Sequence, residues 1–226
     1  MGPRAAVHLG LLAVIAVAGC GGPNRDQEDG RVRFVALGDS YTIGTAVTEP
    51  ERWPNQLVAM VEDLDLVANP AVNGYTSSDL IRDELSQLDA LRPEFVTVLI
   101  GVNDVVQGVP EATYAANVDH ILEALGERLP PDRLLCVATP DYTRTPRGAD
   151  YGDPERQREG IERVNAILRE ACELREITFV PDVFAISQRV AEDRSLVADD
   201  GLHPSGAQYR LWVDAIGPVV RDLLDR

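Results

Sequence analysis

Val32-Arg33-Phe34-Val35-Ala36-Leu37-Gly38-Asp39-Ser40 decides the fold class of this chain. Its apolar side chains run almost without a break and stop at a small polar cluster. An amphipathic helix would show a 3.6-residue period, and a half-exposed strand would alternate. A strand covered on both faces is apolar throughout. Outward from this stretch, the same pattern returns at 94–101 and 133–139, with shorter runs at 64–69 and 177–181. Helical stretches lie between them. The first, 53–61, carries Pro54 near its start, where proline is tolerated. The second, 78–91, aligns Leu80, Ile81, Leu85 and Leu88, with Ser77 or Ser78 as its cap. Further helices are expected at 114–129, around Val118, Ile121, Leu122 and Leu125, and at 154–174, around Ile161, Val164, Ile167, Leu168 and Ala171. A last one, 205–224, opens after Pro204.

Strand alternating with helix predicts an α/β domain, a three-layer αβα sandwich around a parallel sheet of about five strands. Ligands of such sheets bind beyond the carboxyl ends of the strands. The polar clusters fall there: Asp39-Ser40, Asn73-Gly74, Asn103-Asp104, the loop 139–153, and Asp200 to His203 before the last helix.

Residues 1–19 read as a signal peptide, with Arg4 before an apolar core from Ala5 to Ala18 that is too short to span a membrane. Val17-Ala18-Gly19-Cys20 resembles the bacterial lipobox, which predicts a lipidated Cys20 as the mature N-terminus. A plain secretory signal cleaved nearby is the alternative. Residues 20–30 are polar and glycine-rich, a flexible tether of about 30 Å at full stretch. Residues 31–226 fit one domain. The expected location is the bacterial cell envelope, lipid-anchored on the extracytoplasmic side.

The net charge is −16, and all 21 basic residues are arginine. This acidity argues against nucleic acid and against unaided docking on anionic lipid. Cys136 and Cys172 remain after Cys20; an exported location permits a disulfide between them, and two buried thiols are the other reading. Two histidines and two isolated cysteines do not make a zinc site. No Gly-x-Gly-x-x-Gly or Gly-x-x-x-x-Gly-Lys occurs, so nucleotide binding is unsupported. No metal or organic cofactor is expected.

Of three histidines, His8 falls in the signal segment, leaving His120 and His203 as bases for neutral pH. His120 sits mid-helix beside Asp119 and reads as structural. His203 has Asp200 three residues upstream, close enough to orient an imidazole. With Ser40 these fill the nucleophile, base and orienter of a Ser–His–Asp hydrolase. Each block alone has a plainer reading: Gly38-Asp39-Ser40 and Asn73-Gly74 as turns, Asn103-Asp104 as a helix cap, Asp200 to His203 as a helix-entry turn. Asp39 and Asp104 read as braces for their loops.

Taken in order, Gly38-Asp39-Ser40, Asn73-Gly74, Gly101-Val102-Asn103-Asp104 and Asp200-Gly201-Leu202-His203 resemble the four blocks of the SGNH (GDSL) hydrolases. Trp53-Pro54 and Pro204 fit the same pattern. The layout is similar to the bacterial thioesterase/lysophospholipase branch and covers the domain from Val32 to about Val220. The resemblance implies a flavodoxin-like SGNH hydrolase fold and a serine ester hydrolase. It implies Ser40 as nucleophile, His203 as base and Asp200 as its orienter. The implied oxyanion donors are the N–H of Ser40, the N–H of Gly74 and the side-chain amide of Asn103.

The expected substrate is a small-molecule ester of short to medium acyl chain, or a lysophospholipid, and the protein is expected to be a monomer. Tyr41, Thr42, Ile43, Tyr75, Val105 and Val106 flank the blocks and are expected to line the entrance. Tyr142, Arg144, Arg147 and Tyr151 in the polar loop offer contacts for a sugar or a head group. Two rival readings are a carbohydrate O-acetyl esterase and a catalytically silent surface binding protein.

Overall fold

Five parallel strands form one sheet in the computed structural model, which describes residues 1–2 and 30–226. The expected signal peptide, Cys20 and nearly all of the tether lie outside the described residues. The strands are β1 (Val32–Gly38), β2 (Leu64–Ala68), β3 (Phe95–Leu99), β4 (Leu134–Val137) and β5 (Thr178–Val180). Their order in the sheet is β2-β1-β3-β4-β5, the flavodoxin-like arrangement. Successive strand residues feed opposite layers. Phe34 and Ala36 enter one core with Phe95 and Leu99; Val35 and Leu37 enter the other with Val96 and Val98. Both faces are therefore apolar, and this is why β1 shows no polar alternation.

The first core is closed by α2 (Trp53–Met60), α8 (Asp182–Gln188) and α9 (Gly206–Leu224) through Trp53, Leu57, Val183, Trp212 and Ile216. The second is closed by the helical segment 77–91, α6 (Glu111–Gly126) and α7 (Pro154–Glu173) through Leu80, Leu88, Val118, Leu122, Val164 and Leu168. Three short helices were not legible in the sequence: α1 (Ser40–Ile43), α5 (Val102–Val106) and α8. The segment 77–91 is also less regular than its leucine spacing suggests. It runs as α3 (Ser77–Asp79), a π-helical turn Leu80–Glu84, a 3₁₀ turn Leu85–Gln87 and α4 (Leu88–Leu91).

Cys136 on β4 and Cys172 on α7 are free and fully buried. Contact with the Cys172 thiol, together with burial, pushes the Cys136 thiol well above the ordinary value. Among the described residues no helix is long and apolar enough to cross a membrane.

β1 has β2 on one side and β3 on the other, so the chain reverses its direction of travel across the sheet here. A crevice opens at such a switch point. Asp39-Ser40 leaves β1, and Asn103 follows β3, at the same edge.

Candidate active site

The turn after β1 places one serine on a pocket wall. Gly38 has φ +155°, and a Cβ there would strike the Leu99 carbonyl oxygen and the Thr42 hydroxyl. Glycine alone lets β1 turn this tightly against β3. Asp39 then caps α1 (Ser40–Ile43), its Oδ1 accepting from the Tyr41 N–H at 2.9 Å. Ser40 is the first residue of that helix and 7% exposed. Its N–H has no acceptor among the described residues, as expected for a first-turn amide. Asp39 is fully buried, which pushes its carboxyl up to about 7; the Tyr41 N–H works against this and nearby Asp104 adds to it.

His203 sits on the loop before α9. Its Nδ1 lies 2.6 Å from Asp200 Oδ2, and Asp200 Oδ1 accepts from the N–H groups of Leu202 and His203 at 2.9 and 3.0 Å. Gly201, at φ +72°, makes this three-residue wrap. Partial burial tends to raise the Asp200 pKa. The His203 ring and the two backbone donors outweigh it and hold the carboxyl below its usual value. The Tyr41 ring packs on the imidazole at 5.3 Å between centroids and is backed by Trp212.

Gly74 and Asn103 complete the site. Gly74 has φ +83°, and its N–H has no acceptor among the described residues. A Cβ there would meet nothing within 4 Å, so left-handed backbone, not crowding, is what calls for glycine. Asn103 Nδ2 donates to the Tyr75 carbonyl at 3.0 Å and, through a longer bond, to Asp39 Oδ2 at 3.4 Å, and the residue lines the pocket. Three contacts pin the 73–77 loop. Gln107 Nε2 donates to the Gly74 carbonyl at 3.0 Å, the Ser77 N–H donates to Asp104 Oδ2 at 2.9 Å, and the Thr45 hydroxyl donates to Asn73 Oδ1. Asp39 braces its own turn as expected, whereas Asp104 braces the neighbouring 73–77 loop and not its own. The cap expected at Ser77 or Ser78 is Thr76, which frees Ser77 to bond Asp104; Gln107 and Thr45 carried no sequence signal.

Ser40, Gly74, Asn103 and His203 line one pocket of about 210 Å³. Tyr41, Val102, Val106 and Leu202 supply its apolar wall. Tyr142 and Tyr151 close it, edge-on to each other at 5.7 Å, with the Tyr142 hydroxyl donating to Gln157 at 2.8 Å. Four expected lining residues are elsewhere: Thr42, fully buried under the nucleophile turn, and Ile43 do not reach the pocket wall, and Val105 and Tyr75 turn away from it. Val105 faces α7, where a Cβ on Gly160 would meet its methyl group at 2.6 Å. The Tyr75 hydroxyl turns toward Asp83, which raises its pKa, and only the Tyr75 carbonyl serves the site, through Asn103. Arg147 pairs with Asp150 at 2.9 Å, and neither it nor Arg144 lines the pocket. His120 is exposed on α6.

A serine hydroxyl, an oriented imidazole and two unpartnered N–H groups around a small apolar pocket are the components of acyl transfer. Residues 36–211 match the model of the GDSL-like Lipase/Acylhydrolase family. The chain belongs to this family. It is a serine ester hydrolase. No curated protein matches the chain at a significant level. Solved structures do. LAE5, described as an α/β hydrolase enzyme from the Lake Arreo metagenome, superposes with TM-score 0.66 at 19% identity, over 85% of this chain and 96% of its own. Axe2, an acetylxylan esterase from Geobacillus stearothermophilus, gives 0.65 at 18%, over 84% and 94%. The psychrotrophic esterase EstA from Pseudoalteromonas sp. gives 0.63 at 18%, over 86% and 99%. At these identities the likeness is one of fold.

Proposed function

We propose that this GDSL-like hydrolase cleaves short-chain carboxylic esters through an acyl-enzyme on Ser40. The Ser40 hydroxyl attacks the ester carbonyl carbon and passes its proton to His203 Nε2. Asp200 holds Nδ1–H and stabilises the imidazolium. The oxyanion is received by the N–H of Ser40, the N–H of Gly74 and Asn103 Nδ2, which exchanges its long 3.4 Å bond to Asp39 for the oxyanion. Collapse expels the alcohol, which takes the proton from His203. Water, activated by the same imidazole, then releases the acid.

The observation that carries this reading is the 2.6 Å Asp200–His203 bond with His203 and Ser40 on the walls of one pocket. Size supports a short acyl group. Pockets for drug-sized ligands span roughly 300–1,000 Å³, and this one is about 210 Å³. The test is turnover of p-nitrophenyl esters from two to sixteen carbons by the wild type and Ser40→Ala, with fluorophosphonate labelling alongside. Activity that falls with chain length and vanishes in Ser40→Ala is expected. Full activity in Ser40→Ala would sink the assignment.

A second reading, a carbohydrate O-acetyl esterase, is favoured by the Tyr142–Tyr151 pair at the pocket, since aromatic faces receive sugar rings. Faster turnover of acetylated xylo-oligosaccharide than of lysophospholipid would select it. We further propose that the protein is exported to a bacterial envelope, loses residues 1–19 and is lipid-anchored on the extracytoplasmic side through Cys20, with 20–30 as tether to the domain 31–226. The apolar core ending in Gly19-Cys20 supports this. Cys20→Ala should move the protein to the soluble fraction. Among the described residues the exposed large apolar side chains are scattered singly, Val72 and Leu174 among them, which supports a monomer.

A further inference from the structure

We infer that Glu84 is a positioning residue that fixes the nucleophile turn, by supplying the hydrogen-bond acceptor that the sheet cannot give to Gly38. This rests on the Ser40 reading above. β2 runs alongside β1 only as far as the Val35–Ala68 pairing, while β1 continues to Gly38. On that side no strand carbonyl remains for the Gly38 N–H, and a buried amide must find a partner. Glu84 Oε2 accepts from it at 2.9 Å.

The placement is costly by any other account. Glu84 is fully buried, and its Oε1 has no partner among the described residues. Burial pushes its carboxyl up to about 8; the Gly38 N–H works against this, and the neighbouring Asp39 adds to it. An apolar residue here would remove a desolvated acid from the core, but it would leave the Gly38 N–H unpaired. Glu84 reaches Gly38 from the last residue of the π-helical turn Leu80–Glu84, and such turns recur at functional sites.

The geometry carries this bond to the chemistry. Ser40 follows Gly38 by two residues, so a shift at Gly38 displaces both the Ser40 hydroxyl and the Ser40 N–H. The helical segment that bears Glu84 continues from the Gly74 loop, which Asp104 holds through Ser77. Glu84 therefore ties one backbone oxyanion donor to the other. Misplacement of such groups by about 1 Å costs up to roughly 100-fold in rate.

The test compares three variants of the full chain: Glu84→Gln keeps an acceptor, Glu84→Met keeps the volume without one, and Glu84→Asp shortens the reach. Measured are kcat and KM on p-nitrophenyl acetate, the rate of fluorophosphonate labelling, and Tm, with Ser40→Ala as control. Glu84→Met is expected to lose roughly 10- to 100-fold in kcat and labelling rate well below its Tm, with KM little changed. Glu84→Asp should behave likewise, and Glu84→Gln should restore kcat to within about threefold of wild type. If Glu84→Met does not fold, the Asp and Gln variants still decide. Full kcat in Glu84→Asp or Glu84→Met, with only Tm lowered, overturns the inference and makes Glu84 structural. Loss of kcat in Glu84→Gln equal to that in Glu84→Asp also overturns it, because the acceptor would then not be what matters. Turnover by Ser40→Ala overturns the Ser40 reading itself, an outcome distinct from both.

Discussion

Asp200→Asn should disable the site while leaving the fold intact, and the reason is the geometry of one carboxylate. Oδ1 of Asp200 accepts two backbone N–H groups, at 2.9 and 3.0 Å, and Oδ2 faces His203 Nδ1 at 2.6 Å. An asparagine must turn its carbonyl toward the two fixed donors. Its NH₂ then faces Nδ1 and donates, so the neutral ring carries its proton on Nε2 and cannot take one from Ser40. Turning the amide over would forfeit two backbone hydrogen bonds, each worth about 1 kcal/mol net, and oppose donors to donors. The charge is lost as well. For centres about 4 Å apart at an effective dielectric of about 20, the imidazolium loses about 4 kcal/mol, roughly a thousandfold. With the wrong tautomer the expected fall in kcat is about 10⁴-fold. The assay is p-nitrophenyl acetate turnover with Tm measured in parallel. Asparagine followed by Gly201 deamidates readily and would regenerate the aspartate, so an intact mass must accompany each rate. A verified Asp200→Asn protein within about tenfold of wild type would refute the assignment of Asp200 as orienter.

Asn103→Ala should lower kcat by roughly 10²–10³-fold with KM little changed, since it removes a donor used mainly in the transition state. Gly74→Ala should act on stability more than on rate. Its Cβ meets nothing, but holding φ near +83° costs about 1–2 kcal/mol, a fall in Tm of roughly 2–8 °C by calorimetry. Folded Asp39 and Glu84 titrate near 7 and 8, above their ordinary 3.8 and 4.5, so the native state binds more protons across that window. Stability is therefore greatest at the acid side of the window and is lost as pH rises towards 8. Asp200, held low, acts in the opposite sense and only as pH falls below its ordinary 3.8. A Tm that rises from pH 5 to 8 would contradict this, and Glu84→Gln should flatten the slope. Cys136 and Cys172 should resist a thiol reagent in the native protein and react together in denaturant.

The proposed reacting groups could be singled out from the sequence because they are chemically scarce. Only two histidines fall outside the expected signal segment, one three residues after an aspartate at a helix entry, so the choice of His203 needed little structure. β1 was legible because Phe34 and Ala36 feed one core and Val35 and Leu37 the other, leaving no polar position between residues 34 and 37 to blur the run. What failed was orientation at single-residue scale. Val105 and Val106 are neighbours on a five-residue helix. One turns to Gly160 and the other to the pocket, and no period can be read from so short a segment. Tyr75 looked like a wall because it follows Gly74, yet its side chain leaves toward Asp83 and its carbonyl does the work.

The deepest omission was Glu84. In Arg82-Asp83-Glu84 it reads as one more charge on a solvated helix face, and its neighbours do form an exposed ion pair. Glu84 turns inward because the π-helical turn displaces it from the ordinary helical register and because β2 ends short of Gly38. Neither cause is local to the residue. Gln107 and Thr45 share this character, and so does Ser77, whose expected capping role falls to Thr76: common polar residues that acquire their role from the fold. A site of this kind announces its nucleophile and base by residue type and hides the frame that aims them. The frame is therefore where substitutions outside the family blocks should alter rate without touching substrate.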